Sequence, residues 1–302
     1  MNTTAPCAAG SETGPTLRRP VRISKRMTWN AQLNLAYRRA GERSVVHDRH
    51  SGPLRILASL YPESAAVCHN VLVHPPGGLV GGDALRIDLA LAAQSHALLT
   101  TPGATRFYRS AGEPASQTLT AHVASGARLE WLPQEALCRR GAIAENRMHF
   151  ELAPGAEMIG WDVLGLGLPA SGEDFDAGRV TQTLALNRVW LEHGVVDGGD
   201  QRLLDSPLGF AHNRAYGLLW CAAGTPLPAD KRDALLDAAR QASAAHALRA
   251  TLGSTSPHAQ LVLLRALAPR VEPLMQLFGS VWAAWRLLVW GLPASAPRVW
   301  RT

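Results

Sequence analysis

Between Leu85 and Val196 the chain alternates apolar and polar residues, breaks at glycine or proline, and alternates again. In "LRIDLALAAQSHALLTTPGATRFYR" the residues Leu85, Ile87, Leu89 and Leu91 share one face of an extended chain. In "QTLTAHVASGARLEWLPQEALCR" Leu119, Ala121 and Val123 do the same. A period of two is the strand period. "MHFELAPGAEMIGWDVLGLG" and "GRVTQTLALNRVWLEHGVV" continue the series. Upstream, the segment from Trp29 to Pro62 alternates around Leu33, Leu35 and Tyr37 and breaks at "SGP", which reads as strand, turn, strand. The segments also superpose on one another: Pro102 falls on Pro133 at a shift of 31, and Gly126 on Gly155 at a shift of 29. A period near 30 predicts stacked coils, an irregular β-helix-like or layered sheet arrangement in a mostly β protein. An antiparallel sandwich is the rival, because its turns also recur.

The pattern changes in the last quarter. "PADKRDALLDAARQASAAHAL" opens on proline with an acidic first turn and carries Leu235, Leu236, Ala239 and Ala242 near helical spacing. "PRVEPLMQLFGSVWAAWRLLVWG" puts Val271, Leu274, Met275, Phe278, Val281, Trp282 and Trp285 on one stripe and stops at Gly291 before Pro293. Two α-helices are predicted there, with "AQLVLLRALA" as a strand between them and the stripes facing a core. Residues 1–26, rich in Thr, Pro, Ser, Gly and Arg without a period, read as a disordered leader. The rest, 27–302, reads as one domain with a β-rich part over 27–225 and a helix-containing part over 226–302.

Composition narrows the function. The chain of 302 residues is 47% hydrophobic and 18% charged, against about 25% charged in ordinary soluble domains. It has little charge with which to cover its surface, so some apolar surface is expected to meet a partner. The net charge of +6 rests on arginine, with Lys25 and Lys231 the only lysines. No basic run interleaves with aromatic residues, which argues against nucleic acid. Cys7, Cys68, Cys138 and Cys221 are far apart and form no CxxC pair, so neither a zinc knuckle nor a disulfide framework is indicated. No apolar run has membrane-spanning length and no basic region precedes an apolar one at the N-terminus. The expectation is a cytoplasmic protein with reduced thiols and no membrane partner.

The glycine-rich stretches fail as nucleotide loops. In "VLVHPPGGLVGGD" Gly77 to Gly82 fits GxxxxG, but Asp83 stands where a phosphate loop needs lysine, and a strand pattern follows where it needs a helix. "GLGLPA" fits GxGxxA but leads into a turn and a strand. The stretch reads instead as a shaped loop: Pro75 and Pro76 stiffen it, Gly77, Gly78, Gly81 and Gly82 allow corners with positive φ, and Asp83 bonds the turn. His69 and His74 suggest metal ligands together with Cys68, but on a strand the two histidines face opposite sides. No nucleophile with a base is visible.

The blocks "GPLRILASLYPE", "VCHNVLVHPPGGLVGGDALRIDL", "LLTTPGATRFYRS", "LEWLPQEAL", "LGLPASGEDF" and "APRVWRT", in this order, resemble the UreD (also called UreH) family of urease accessory proteins from about Trp29 to the C-terminus. The resemblance implies a mostly β fold with strands wound in a stack and a small helical part. It implies a non-enzyme that acts in the cytoplasm with UreF and the GTPase UreG to load nickel into the urease apoprotein. In it UreD meets urease, and UreF joins UreD to UreG. No cofactor is tightly bound; nickel is a transient passenger, and a passage carries it toward the urease site.

A passage for a cation needs oxygen or imidazole groups that bind and release. The carboxylates within the resembling blocks are the candidates: Asp83, Glu130, Glu135, Asp162, Glu173 and Asp174, at least two of them lining the passage. With a repeat near 30, Glu130 and Asp162 fall on neighbouring coils. Each has a plainer reading as a surface carboxylate or as a partner of Arg106, Arg139 or Arg179. His74, Pro75, Pro76, Gly77, Gly78, Gly81 and Gly82 read as a structural loop or partner contact, and Thr100, Thr101, Arg106, Tyr108 and Arg109 as polar groups of a contact face or of a polar interior. The competing class is a carbohydrate-active β-helix enzyme with Glu135 and Asp162 as acid and base; against it, Trp131, Trp161 and Trp190 are too scattered to form a sugar platform.

Overall fold

The computed structural model describes residues 28–301 and the first two residues of the chain. The rest of the expected leader, and with it Cys7 and Lys25, lies outside the described residues.

The chain opens with the hairpin β1 (Asn30–Ala40) and β2 (Arg43–Ser51), then β3 (Arg55–Ile56) and β4 (Val67–Val73). Three coils follow: β5 (Ala84–Leu91), β6 (His96–Thr100) and β7 (Thr105–Phe107); β8 (Ala115–Val123), β9 (Arg128–Trp131) and β10 (Ala136–Cys138); β11 (Ile143–Leu152) and β12 (Glu157–Leu166). The chain then runs through β13 (Arg179–Leu186), β14 (Trp190–Asp197), α1 (Gln201–Asp205), β15 (Ala215–Ala223), α2 (Ala229–Ser243), β16 (Leu252–His258), β17 (Leu261–Ala268) and α3 (Val271–Trp290).

Like strands of successive coils pair in parallel. β5, β8, β11 and β13 stack in one sheet, completed by β2, β1 and β14, and β6, β9 and β12 stack in a second that β15, β17 and β16 extend antiparallel. The stacked-coil reading therefore holds, in a β-solenoid-like form. Its register is set by the inward apolar residues: His96 lies opposite Arg128, one residue away from the shift of 31 read in the sequence, while Arg128 lies opposite Glu157 at the expected shift of 29. One residue of slip moves a strand's whole apolar set to the other face.

Two cores result. Leu33, Ile87, Leu119, Met148, Phe150, Met158, Leu184 and Trp220 fill the space between the sheets. On the far face of the second sheet, Leu98, Leu132, Ile159 and Trp161 pack under α2 and α3 with Leu235, Phe278, Trp282 and Trp285. The tryptophan stripe of α3 is thus core. Gly291, at φ +66°, ends α3 by donating its N–H to the Leu287 carbonyl. Both expected helices and the strand between them are present.

One expectation changes. The first hairpin turns at Gly41 and Glu42, not at "SGP", and β2 runs on to Ser51; a glycine at φ +59° supplies the corner. In the helix-containing segment, β16 and β17 complete the second sheet. No helix among the described residues is long and apolar enough to cross a membrane.

Candidate functional site

The glycine-rich loop joins β4 to β5 and closes one end of the space between the sheets. Asp83, 1% exposed, holds it: one carboxylate oxygen accepts the Trp29 N–H at 2.7 Å and the other the Val80 N–H at 2.9 Å. Asp83 is therefore committed to the backbone and has little left for an ion. Only Gly77 and Gly82 of the loop's glycines have positive φ. Gly78 and Gly81 are needed for closeness instead, Gly78 lying under the Tyr108 ring and Gly81 against the Glu113 carbonyl, 2.6 Å from where a Cβ would stand. Gly81→Ala is expected to destabilise the fold by about 1–3 kcal/mol through that overlap. Gly77→Ala, with open space around the added carbon, is expected to cost only its backbone strain, about 1 kcal/mol. Thermal unfolding midpoints of the two variants check the difference. Pro75 and Pro76 are exposed.

Beside this loop lies a cavity of about 320 Å³, lined by His74, Gly77, Gly78, Thr101, Arg106, Gln117 and Trp131 among others. Gln117 leads from it into a polar seam within the apolar core. Gln117, Asn146 and Gln182 are register partners on β8, β11 and β13, in phase with the inward residues Leu119, Met148 and Leu184. Strand spacing puts successive members about 5 Å apart. Asp162 of β12 faces them from the second sheet. It accepts from Gln182 Nε2 at 2.5 Å and from Asn146 Nδ2 at 3.4 Å. Burial lifts its carboxyl to about 6, against the two amide bonds that favour the charge. Yet Asp162, Gln117 and Gln182 each keep partial exposure, whereas Leu119, Phe150 and Val180 beside them are sealed. Groups on inward faces stay accessible only where the packing leaves space.

Gln182 also lines a second cavity, of about 300 Å³, with Glu192, Tyr216 and Arg265. Glu192 accepts from Tyr216 Oη at 3.0 Å and pairs with Arg265 Nη2 at 2.6 Å. The seam thus runs from the loop cavity past Asp162 to a carboxylate. Of the sequence candidates only Asp162 lies on it. Gln117, Asn146, Gln182, Glu192, Tyr216 and Arg265 were not picked out from the sequence, although the amides stand in phase with inward apolar residues.

Glu130 does something else. It sits on β9 opposite Ile159, not Asp162, and on the helix-facing side of the sheet. The pairing of Glu130 with Asp162 in one passage is corrected accordingly: they are on adjacent coils but on opposite faces. The fully buried Glu130 carboxylate meets His96 Nε2 at 2.8 Å, Trp282 Nε1 at 2.7 Å and Arg286 Nε at 3.1 Å. Arg286, also fully buried, reaches Glu63 at 2.6 Å and the Pro293 carbonyl, and Glu63 meets His69 at 2.7 Å. Burial alone would raise the Glu130 carboxyl; His96, Arg286 and Trp282 outweigh it and hold it below the usual range. This network pins α3 to the second sheet.

The remaining candidates are spread out. Glu135 lies between β9 and β10, its carboxyl raised by burial. Glu173 pairs bidentately with Arg139 at 2.6 and 2.7 Å, and that bond, against slight burial, holds it at about 2. Asp174 pairs with Arg214 at 2.6 Å. Tyr108 donates its backbone N–H to the Leu79 carbonyl, and Arg109 packs over Gly141. Glu135 and Asp162 line neither cavity described above. His69 is taken by Glu63 while His74 turns to the loop cavity. Among the described residues no three His, Cys, Asp or Glu side chains are grouped to hold a metal.

Comparison with known proteins agrees with the architecture. The family model described as UreD urease accessory protein matches residues 30–301. Urease accessory protein UreD of Variovorax paradoxus is 57% identical over 276 residues, covering 91% of this chain and 100% of its own length. That of Leptothrix cholodnii is 55% identical over 278 residues with the same coverage, and that of Methylibium petroleiphilum 52% over 296. The chain belongs to the UreD family of urease accessory proteins, with a role in urease maturation.

Proposed function

We propose that the chain is a non-catalytic maturation factor that binds the urease apoprotein in the cytoplasm and, with UreF and the GTPase UreG, passes nickel to the urease active site. The GTP chemistry belongs to UreG. The observation that carries the metal route is Asp162: a partly exposed carboxylate in the core between the sheets, bonded to amides of a row whose two ends line separate cavities. A carboxylate supported by amides, with the nearby Cys138 thiol kept neutral chiefly by burial, binds a hydrated divalent cation weakly and releases it. Glu192 at the far cavity is the next station, held until then by Arg265.

Deleting the gene from cells that carry the urease genes, at controlled nickel, tests the role. Urease activity is expected to disappear while apo-urease stays abundant, and to return when the gene is restored. Equal activity without the gene would overturn the role.

A further inference from the structure

Among the described residues, His74 Nε2 and Trp131 Nε1 are buried side-chain atoms without a hydrogen-bond partner in the protein, and both residues line the loop cavity. An indole N–H is a donor only, and burying it unpaired leaves its lost hydration uncompensated. Elsewhere the chain mostly satisfies such groups: Trp161, Trp282, Trp285, Trp290 and Trp300 each donate to an oxygen. Trp220 shares the lack of an acceptor, but it packs in the apolar core and lines neither cavity. Trp131 is 2% exposed, so bulk water does not relieve it.

The lining of the cavity carries charge of one sign, with the Asp83 and Glu135 carboxylates acting on it from outside the lining. Burial, against Asp83, lowers the His74 imidazole and keeps it neutral at pH 7. Arg106 is then the single full charge among the lining residues, and no carboxylate lines the cavity. Leu72, Leu79 and Ile87 give the remaining wall an apolar face. A donor-lined, electropositive pocket with an apolar wall selects a ligand with an anionic acceptor at one end and an apolar body at the other.

We propose that the loop cavity is a binding site for a small organic monocarboxylate, its oxygens facing Trp131 Nε1, His74 and Arg106 and its body against Leu72 and Ile87. Gln117 lines the same cavity and heads the seam, so a bound carboxylate supplies negative charge where the lining residues offer a cation none. That consequence rests on the proposed nickel route; the binding itself does not.

The test uses the full chain without nickel and benzoate as the probe, with benzamide as its uncharged match. The indole N–H resonance of Trp131, assigned through Trp131→Phe, is followed during titration. Benzoate is expected to shift this resonance in a saturable way, and benzamide to bind about tenfold or more weakly, the loss of one charge-assisted contact. Arg106→Gln, at an exposed position, is expected to weaken benzoate by a similar factor while the thermal midpoint stays unchanged. A resonance that ignores benzoate, the result if the cavity holds ordered water only, overturns the proposal. So does equal binding of benzoate and benzamide. Failure here leaves the Asp162 route standing, and failure of that route leaves benzoate binding intact.

Discussion

Glu130→Ala is expected to destabilise the fold by about 3–5 kcal/mol, because it takes from a buried guanidinium one of the two carboxylates that neutralise it. Arg286 is 0% exposed and would keep only Glu63 and one carbonyl. Trp282 would lose the acceptor of its N–H, and His96 its carboxylate. At about 2–4 °C per kcal/mol for a domain of this size, the unfolding midpoint should drop on the order of 10 °C. Glu130→Gln keeps the shape and one acceptor but not the charge, and should fall between the two. Glu173→Ala is the contrast: its pair with Arg139 is partly exposed and is worth no more than about 1 kcal/mol. The pH dependence has a definite sign. Glu130 is held below its ordinary value of 4.5, so its contribution is complete above that pH and is lost as the pH falls through the lower native value. Equal midpoints for Glu130→Ala and Glu173→Ala would remove the network from the account.

Asp162→Asn is expected to do the reverse for stability while abolishing nickel transfer. The Asp162 carboxyl is raised from 3.8 to about 6, so the native state binds its proton more tightly than the unfolded chain does. The unfolded state binds fewer protons between those values, and stability falls as pH rises from about 4 to about 6. Above that range the cost is constant, at about 1–3 kcal/mol after allowance for the partial exposure of the side chain. The substituted asparagine carries no charge, so the variant should be more stable than the parent at pH 7 and equal to it near pH 4, as denaturant melts at the two pH values will show. A residue whose removal stabilises the fold and stops the function is held for the function.

Alternation made the coils more legible in the sequence than the route. Leu85, Ile87, Leu119 and Ala121 marked the inward faces, and the repeat near 30 followed from two successive coils of similar length, with Ala84 opposite Ser116 and Ala115 opposite Ala144. The one-residue error between β6 and β9 arose because the prolines used to align them lie beyond the paired strands. Glu130 was legible as a chemical group but not in its role, since Arg286 lies 156 residues away and no local pattern links them. The seam was present as Gln117, Asn146 and Gln182 standing in phase with apolar residues. Neutral amides there look like ordinary strand residues until the stack places them in one row. Asp83, Glu173 and Asp174 were conspicuous within resembling blocks, yet backbone N–H groups and arginines occupy them.

The most direct measurement is the nickel content of urease purified from cells in which Asp162→Asn replaces the parent chain, at limiting nickel and with the accessory complex shown to assemble. The account predicts an intact complex, abundant urease protein and a loss of most of its nickel and activity. Urease carrying full nickel in those cells would contradict the route through Asp162.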